Sequence, residues 1–127
     1  MHELGATQNL LEIALEAAAR AGATRVLGID VVIGELTSMV DDSVQFYFDA
    51  LSRDTPAAGA RLNFRREPAL ASCSACGHQA PVRPPLSPTC GACGAHALTV
   101  AGGQAFYVES IEVDHESPGG DAGTQGQ

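Results

Sequence analysis

Apolar residues near the start of the chain recur with the spacing of an α-helix. They are Leu11, Ala14, Leu15 and Ala18. These positions follow the pattern i, i+3, i+4, i+7 in a segment rich in alanine and leucine, both of which have high helix propensity. Gly22 follows at the place where a helix often ends in a residue with positive φ. The pattern predicts a first helix over residues 7–21, with Leu4 continuing its apolar stripe toward the N-terminus.

Three later segments alternate apolar and other residues with the period of a β-strand. The first, residues 25–34, has one wholly apolar face, which needs a helix over it. The second is residues 61–67, which Pro68 ends. The third, residues 104–114, changes the parity of its apolar positions near Glu109, which predicts a bulge or a local twist.

A second helix is predicted between the first two strands. Asp42 is placed as its N-cap, with Gln45 three residues later as the reciprocal capping partner. Its apolar face consists of Val44, Tyr47, Phe48 and Leu51. Aromatic residues at this spacing belong to a core far more often than to a cofactor site. We therefore predict an α/β (α+β) fold in which two helices pack on a small three-stranded sheet.

Every cysteine of the chain lies in one segment, CSACGHQAPVRPPLSPTCGAC. Its two C-x-x-C pairs are separated by thirteen residues, and each pair is followed directly by a glycine, Gly77 or Gly94. A two-residue spacer lets two thiolates of one turn reach the same ion, and the glycines permit the positive φ that turns backbone N–H groups toward the sulfurs. The pattern predicts a zinc ion held by four thiolates, those of Cys73, Cys76, Cys90 and Cys93.

Two disulfides or a redox-active C-x-x-C are the alternatives to zinc. No signal peptide opens the chain and no long apolar run follows, so we expect a cytoplasmic protein with reduced thiols. A redox dithiol is expected once, at the end of a strand in a βαβ unit, whereas this segment has two pairs and four prolines. Because four thiolates leave zinc no open coordination position, we expect a structural and not a catalytic site.

The net charge argues against nucleic acid as a partner. The chain has seven Lys+Arg and fifteen Asp+Glu residues, a formal charge of −8. Binding to phosphates requires a clustered positive field. Arg83 is the only charged residue in the cysteine segment, and a zinc ion with four thiolates would itself be negative. We therefore expect binding to neither nucleic acid nor membrane.

Met1, His2 and Glu3 offer a second and different set of metal donors. The α-amine, the amide nitrogen that follows it and the imidazole of His2 can form adjacent chelate rings on one metal without help from the fold. Nitrogen donors in a square-planar arrangement suit Ni(II) or Cu(II). An unrelated protein can also begin Met-His, so this pattern alone leaves open whether His2 is a ligand or an ordinary surface residue.

Composition divides the chain into three parts. Residues 1–70 and 101–115 hold the predicted helices and strands, and residues 71–100 form a zinc-ribbon insertion between the last two strands. The ribbon is too small for an apolar core, so metal binding is expected to supply the free energy, with apparent values of about 10–16 kcal/mol for such sites. Residues 116–127 are polar and rich in glycine and are predicted to form a disordered tail, to which His115 is also assigned.

Three features together resemble the HypA/HybF family of nickel metallochaperones. They are the N-terminal MHEL, the double C-x-x-C insertion, and the segments IGELTSMVDDSVQFYF, TPAAGARL and ESIEVD. The resemblance runs from Met1 to about Asp114. It implies a protein that helps to deliver nickel to [NiFe] hydrogenase and, in some organisms, to urease. It also implies that His2 is the essential nickel ligand, with the amine of Met1 and the backbone amides of His2 and Glu3 as companions, and that the Glu3 side chain takes part in nickel handling.

The same resemblance implies two partners, a HypB-type GTPase and the large subunit of [NiFe] hydrogenase, and we expect a monomer or a weak homodimer. The alternative hypothesis is a zinc-ribbon interaction or regulatory module without a nickel role. An enzyme has little support, because no nucleophile, base and orienting group are recognisable together. His78 and His96, which flank the cysteine turns, are expected to be solvent-exposed loop residues.

Overall fold

The structure is a computed structural model that describes residues 2–115, and of His2 only the backbone. In chain order its elements are α1 His2–Arg20, β1 Arg25–Gly34, α2 Asp41–Leu51, β2 Arg61–Glu67, β3 Ala69–Cys73, β4 Gln79–Val82, β5 Leu98–Gly102 and β6 Phe106–Asp114. The strands form two three-stranded sheets, in the orders β2-β1-β6 and β4-β3-β5. The predicted fold class is confirmed. The tail predicted over residues 116–127 lies outside the described residues.

The first helix begins earlier than its apolar pattern predicts. The predicted start at Thr7 is wrong, because α1 runs His2–Arg20. Thr7 is fully buried, and its hydroxyl donates a hydrogen bond to the carbonyl oxygen of Glu3 one turn earlier, so it serves inside the helix and not at its beginning. Glu3 lies in the first turn, where a negative charge offsets the positive end of the helix dipole.

The end of α1 follows the predicted glycine signal. Gly22 has φ +72°. Its N–H donates to the carbonyl oxygen of Ala19 at 3.1 Å, and the N–H of Ala23 donates to that of Ala18 at 2.9 Å. This pair of bonds is the Schellman motif, which satisfies carbonyl groups that the helix leaves unpaired at its C-terminus. Gly22 therefore ends the helix as predicted.

The central strand of the first sheet is buried on both faces. Five of its side chains are at most 1% exposed: Val26, Ile29, Val31, Val32 and Ile33. The helices contribute their own buried faces, and the largest fully buried side chain is Phe48 of α2. The two edge strands are those predicted, and β6 repeats the predicted change of parity, since Glu109 and Ser110 are both exposed in an otherwise alternating strand.

The second helix begins without a side-chain cap. The prediction that Asp42 is its N-cap is wrong, because α2 begins at Asp41 and its N-cap is Val40, whose side chain cannot cap. Asp41 and Asp42 both lie in the first turn, where their charges interact favourably with the helix dipole. Gln45 has other partners: its amide donates to Asp49 at 2.8 Å and its carbonyl oxygen accepts from the N–H of Leu62 at 3.1 Å.

The second sheet contains three short strands in the segment predicted as a ribbon. Strand β3 lies in the middle and pairs antiparallel with β4 and with β5. The described chain separates into two compact units, and the second comprises residues 32–38 and 65–106. The predicted boundaries of the zinc-ribbon insertion, residues 71–100, stay a prediction. Among the described residues, no helix is long and apolar enough to cross a membrane.

Candidate metal centre

Two turns with the same backbone geometry present the four cysteines. In the first, the N–H of Gly77 donates to the carbonyl oxygen of Cys73 at 2.8 Å, and the N–H of Cys73 donates to that of His78 at 2.9 Å. In the second, the N–H of Gly94 donates to the carbonyl oxygen of Cys90 at 2.8 Å. The two glycines have φ +80° and +76°, a conformation that other residues rarely adopt. Each turn is therefore closed by its own backbone.

The four sulfur atoms converge on one point. The Sγ atoms of Cys73 and Cys93 are 3.7 Å apart, as are those of Cys76 and Cys90. All four lie within 4.8 Å of one another. A tetrahedron with Zn–S bonds of about 2.3 Å has edges of about 3.8 Å, so the residues present fit a tetrathiolate zinc ion. The same separations are far longer than a disulfide bond of about 2.05 Å, and all four thiols are free.

The electrostatics of the cluster favour a bound cation. Backbone N–H groups of Cys93 and Ala92 point at the sulfur of Cys90 and lower its pKa to about 6. The N–H of His78 acts on Cys76 in the same direction, but desolvation and the neighbouring sulfurs outweigh it and raise the pKa of Cys76 to about 12. Four negative sulfurs this close repel one another unless a positive ion lies between them.

His2 and Glu3 lie in the first turn of α1. Met1 and the side chain of His2 are outside what the structure describes. A carboxylate oxygen of Glu3 accepts a hydrogen bond of 2.9 Å from the backbone N–H of Val40, the N-cap residue of α2. In a capping box, the backbone N–H of the N-cap residue donates to a carboxylate of the same helix, and that carboxylate belongs to the third helical residue. Here α1 supplies it, and the first turn of α1 is thereby attached to the start of α2.

Sequence reasoning missed this bond. Glu3 and Val40 are separated by 37 positions, and neither has a neighbouring residue pattern that predicts the other.

The histidines beside the cysteine turns are exposed, and the four-residue metal-ligand cluster includes neither of them. His115, at the predicted boundary of the tail, has its Nδ1 atom 3.2 Å from the carbonyl oxygen of Gly22.

Comparison with known proteins agrees with the resemblance seen in the sequence. The family model described as "HypA: Hydrogenase/urease nickel incorporation, metallochaperone, hypA" matches residues 1–113. The hydrogenase maturation factor HypA of Geobacter metallireducens is 40% identical over 114 residues, which is 90% of this chain and 100% of that protein. The HypA of Dehalococcoides mccartyi strain 195 is 44% identical over 117 residues, covering 92% and 98% respectively.

Solved structures share the fold at lower sequence identity. The solution structure of the Ni metallochaperone HypA from Helicobacter pylori superposes with a TM-score of 0.60 at 19% identity, covering 90% of this chain and 98% of that one. A second solution structure of a HypA protein has a TM-score of 0.63 at 22% identity, covering 89% and 96%. The family match spans both the amino terminus and all four cysteines. The chain therefore belongs to the HypA family of hydrogenase maturation factors.

Proposed function

We propose that this protein is a nickel metallochaperone that binds Ni(II) at its amino terminus and delivers it during maturation of [NiFe] hydrogenase, or of urease where the organism makes one. The observation that carries the proposal is the family match over residues 1–113, which includes Met1, His2 and the cysteine cluster. The protein acts by binding and transfer and not as an enzyme. Its partners are a HypB-type GTPase and the large subunit of the hydrogenase, and it works in the cytoplasm.

The four-cysteine cluster holds zinc in a structural role. Cys73, Cys76, Cys90 and Cys93 supply one thiolate each, and the spacing of their sulfurs suits a tetrahedral ion. A bound zinc ion would fix both turns relative to each other. With four protein ligands the ion has no free position for a substrate or for cargo, so nickel must bind elsewhere.

Nickel binds to nitrogen atoms at the start of α1. The proposed ligands are the amine of Met1, the backbone amides of His2 and Glu3, and the imidazole of His2. Because the first four N–H groups of a helix have no acceptor within the helix, the fold leaves these two amides outside the backbone ladder of α1. Binding through them would therefore break no helical hydrogen bond.

The side chain of Glu3 has a positioning role in this proposal. Its carboxylate accepts a hydrogen bond from Val40, so it already has a partner in the protein. The bond holds the first turn of α1 in place and thereby orients the nearby nitrogen donors. Glu3 thus contributes its backbone nitrogen to nickel while its carboxylate contacts α2.

Acidification should release nickel. The nitrogen ligands must be deprotonated to bind, so protons compete with the metal as the pH falls. An imidazole titrates near pH 6.5 when it is unperturbed, and nickel loss should therefore become pronounced at about that pH and below. Nickel at this end of the chain is exchangeable, whereas zinc in the closed thiolate site is retained.

Calorimetric titration of Ni(II) into four untagged proteins tests the ligand set. We expect His2→Ala to abolish specific binding, and an N-terminal extension to weaken it nearly as much, because the extension converts the amine into an amide. Glu3→Gln is the matched control, since a glutamine carbonyl can still accept the Val40 hydrogen bond. Binding by Glu3→Gln should stay close to that of the native protein, and zinc content should be unchanged in all four.

Each alternative gives a different result. An extended protein that binds nickel as tightly as the native one would exclude the terminal amine. A Glu3→Gln protein that loses binding would make the carboxylate a ligand. If His2→Ala binds like the native protein, the proposed site is wrong, and the zinc-ribbon module without a nickel role becomes the better hypothesis.

A further inference from the structure

The four cysteines of the candidate metal centre differ in their access to solvent. Cys76 and Cys93 are exposed, whereas Cys73 and Cys90 are buried. In each turn the first cysteine is therefore buried and the second is exposed. The susceptibility of a cysteine to oxidation follows its exposure and its thiolate character. A small oxidant in solution can thus reach the sulfur atoms of Cys76 and Cys93 directly.

The short distances between sulfur atoms run across the two turns. The Sγ atom of Cys73 lies 3.7 Å from that of Cys93, and the Sγ atom of Cys76 lies 3.7 Å from that of Cys90. Each pair combines the exposed sulfur of one turn with the buried sulfur of the other. Because a disulfide bond is about 2.05 Å long, each sulfur has to move by less than about 1 Å to form one. The two pairs share no cysteine, so both bonds can form in one molecule.

A bond across the turns constrains the chain in a way that a bond within one turn does not. Each turn is already closed by a backbone hydrogen bond of 2.8 Å, from Gly77 to Cys73 and from Gly94 to Cys90. A disulfide within a C-x-x-C would close the same short loop a second time. A disulfide across the turns closes a longer loop, which removes more conformational freedom from the unfolded chain. It also joins one turn to the other.

We propose that a peroxide oxidises the cluster to two disulfides, Cys73–Cys93 and Cys76–Cys90, and that zinc is released as they form. This conversion rests on the proposed zinc site, because it concerns the thiolates that hold the ion. The thiolate, and not the disulfide, is the form of cysteine that binds a metal. Oxidation therefore exchanges one link between the turns, the metal ion, for another, a pair of covalent bonds.

Each disulfide forms in two steps that consume one molecule of hydrogen peroxide. The exposed thiolate, that of Cys76 or Cys93, attacks one oxygen atom, the O–O bond breaks, hydroxide leaves and a sulfenic acid remains on the sulfur. The thiolate of the buried partner then attacks that sulfur, the S–O bond breaks and a second hydroxide leaves. The two thiolates together lose two electrons, which reduce the two peroxide oxygens to hydroxide. Because the partner sulfur is only 3.7 Å away, this second step precedes further oxidation of the sulfenic acid.

The oxidised protein would keep the arrangement of its turns without the ion. In a compartment that keeps thiols reduced, such disulfides are transient, because other thiols reduce them by exchange. Reduction regenerates four thiolates in positions that suit a tetrahedral ion, so zinc can bind again. The cluster would thus respond reversibly to an oxidising episode, and the second sheet would not have to refold after it.

The test treats the zinc-loaded full chain with hydrogen peroxide and measures zinc release with a colorimetric chelator and disulfide pairing by mass spectrometry. Trypsin leaves all four cysteines in one peptide, because Pro84 follows Arg83. A protease that cleaves after alanine and proline at acid pH cuts after Ala75, after Ala92 and between the turns, and so separates the four cysteines. Acid also suppresses exchange between disulfides during the digestion, because the attacking species is a thiolate.

We expect the bound zinc to be released together with the appearance of peptides that join Cys73 to Cys93 and Cys76 to Cys90. The amide dispersion of the second sheet in NMR spectra should persist after zinc has left, and a dithiol reductant added with zinc should restore the zinc content. The control is the same chain unfolded in denaturant with a chelator before oxidation. There the shortest loops have the lowest closure entropy, so disulfides within each C-x-x-C should predominate.

Three results for the folded protein would each overturn the proposal. They are disulfides within the turns, sulfinic or sulfonic acids in place of disulfides, and zinc that stays bound while the exposed thiols are oxidised. Zinc content measured before peroxide is added tests the proposed zinc site separately, because a protein purified without zinc contradicts that site whatever disulfides form later.

Discussion

Two parts of the molecule differ in the size of the side chains that they bury. The helices and β1 bury large apolar side chains, among them Leu10, Ile29 and Phe48, each at most 2% exposed. Residues 69–102, which comprise the second sheet and both cysteine turns, bury only small side chains, and these are Ala69, Ala71, Cys73 and Cys90. Burial of apolar area is the main favourable term in folding, and two alanines provide little of it. The difference predicts that the first part is stabilised by its own apolar core and the second by a bound metal ion.

The two parts also differ in charge. Of the fifteen acidic residues, only Glu35 and Glu67 belong to the unit that contains the ribbon. Arg83, in that same unit, has its Nε atom 4.0 Å from the carboxylate of Glu35. The acidic character of the protein is thus concentrated in the unit that contains both helices. A positively charged partner or ion would be attracted mainly to that unit.

Loss of one cysteine of the proposed zinc site should have the largest effect. Cys90→Ala removes a buried thiolate, and structural zinc sites contribute apparent free energies of about 10–16 kcal/mol. We expect zinc content to fall from about one ion per chain toward none, with loss of the amide dispersion of the ribbon in NMR spectra. Signals of the helices should persist. Ser87→Ala, an exposed change in the same segment, is the control.

If the helices unfolded together with the ribbon in Cys90→Ala, the contrast between an apolar core and a metal core would fail. Zinc bound at full occupancy with only three cysteines would contradict the tetrathiolate site. Acidification of the native protein to a pH below that at which nickel is released should act in the same direction as Cys90→Ala, because protons then also compete with zinc for the thiolates.

Phe48→Ala tests the apolar core formed by the helices and β1. Phe48 is fully buried, and removal of a buried phenylalanine side chain costs about 3–5 kcal/mol. Chemical denaturation should show this loss in the free energy of unfolding of the helices, while zinc content stays unchanged. Phe46→Ala is the matched control, because Phe46 is 69% exposed and its removal should change stability by no more than about 0.5 kcal/mol. Similar effects of the two variants would show that α2 is not packed as described.

Gly34→Ala tests a close backbone contact. An added Cβ would overlap the carbonyl oxygen of Gly103. The neighbouring hydrogen bond from Leu36 to that oxygen, at 2.7 Å, resists any shift of the chain. We expect destabilisation of about 1–3 kcal/mol in thermal or chemical unfolding. Gly5→Ala is the control with the opposite sign, since a Cβ there meets nothing within 4 Å and should stabilise α1 by about 0.5–1 kcal/mol.

The smallest effect is expected at Ser52, a buried polar residue at the end of α2. The hydroxyl group of Ser52 has no hydrogen-bond partner among the described residues. The backbone carbonyl oxygen of Ser52 accepts a hydrogen bond of 2.6 Å from the hydroxyl group of Thr55. Replacing an unpaired buried hydroxyl with an apolar group of similar shape is nearly neutral or stabilising. Ser52→Ala should therefore leave the free energy of unfolding unchanged or raise it by up to about 1 kcal/mol, whereas Thr55→Ala should lower it by about 1 kcal/mol. A clear loss in Ser52→Ala would reveal a partner for the hydroxyl.

The features that sequence predicts well here are those with local causes. The apolar residues of 25–34 identify one strand, although the structure buries both of its faces and not one alone. The glycines after each C-x-x-C reflect a requirement for positive φ. The strands of the ribbon were not predicted individually. Ala69–Cys73 and Leu98–Gly102 are short and consist largely of small residues, so they lack the strong apolar alternation that identifies a strand.

Errors arose where one residue type suits two positions. A threonine can begin a helix or bond back to the preceding turn within one, and Thr7 does the second. An aspartate can cap a helix or follow the cap in its first turn, and Asp42 does the second. Tertiary contacts decide between such positions. The bond between Glu3 and Val40 is one of these contacts, and it joins residues whose sequence neighbourhoods contain no sign of each other.

Each cysteine turn is closed by its own backbone, so the length of the chain between the two turns can vary. Between the turns, residues 83–88 are exposed, and neither turn uses them for its hydrogen bonds. Lengthening an exposed loop costs little, since each doubling adds only about 0.6 kcal/mol of closure entropy. Insertions or deletions in this stretch can therefore accumulate over evolution, or be engineered as attachment points for a label, without moving the sulfur atoms that define the metal site.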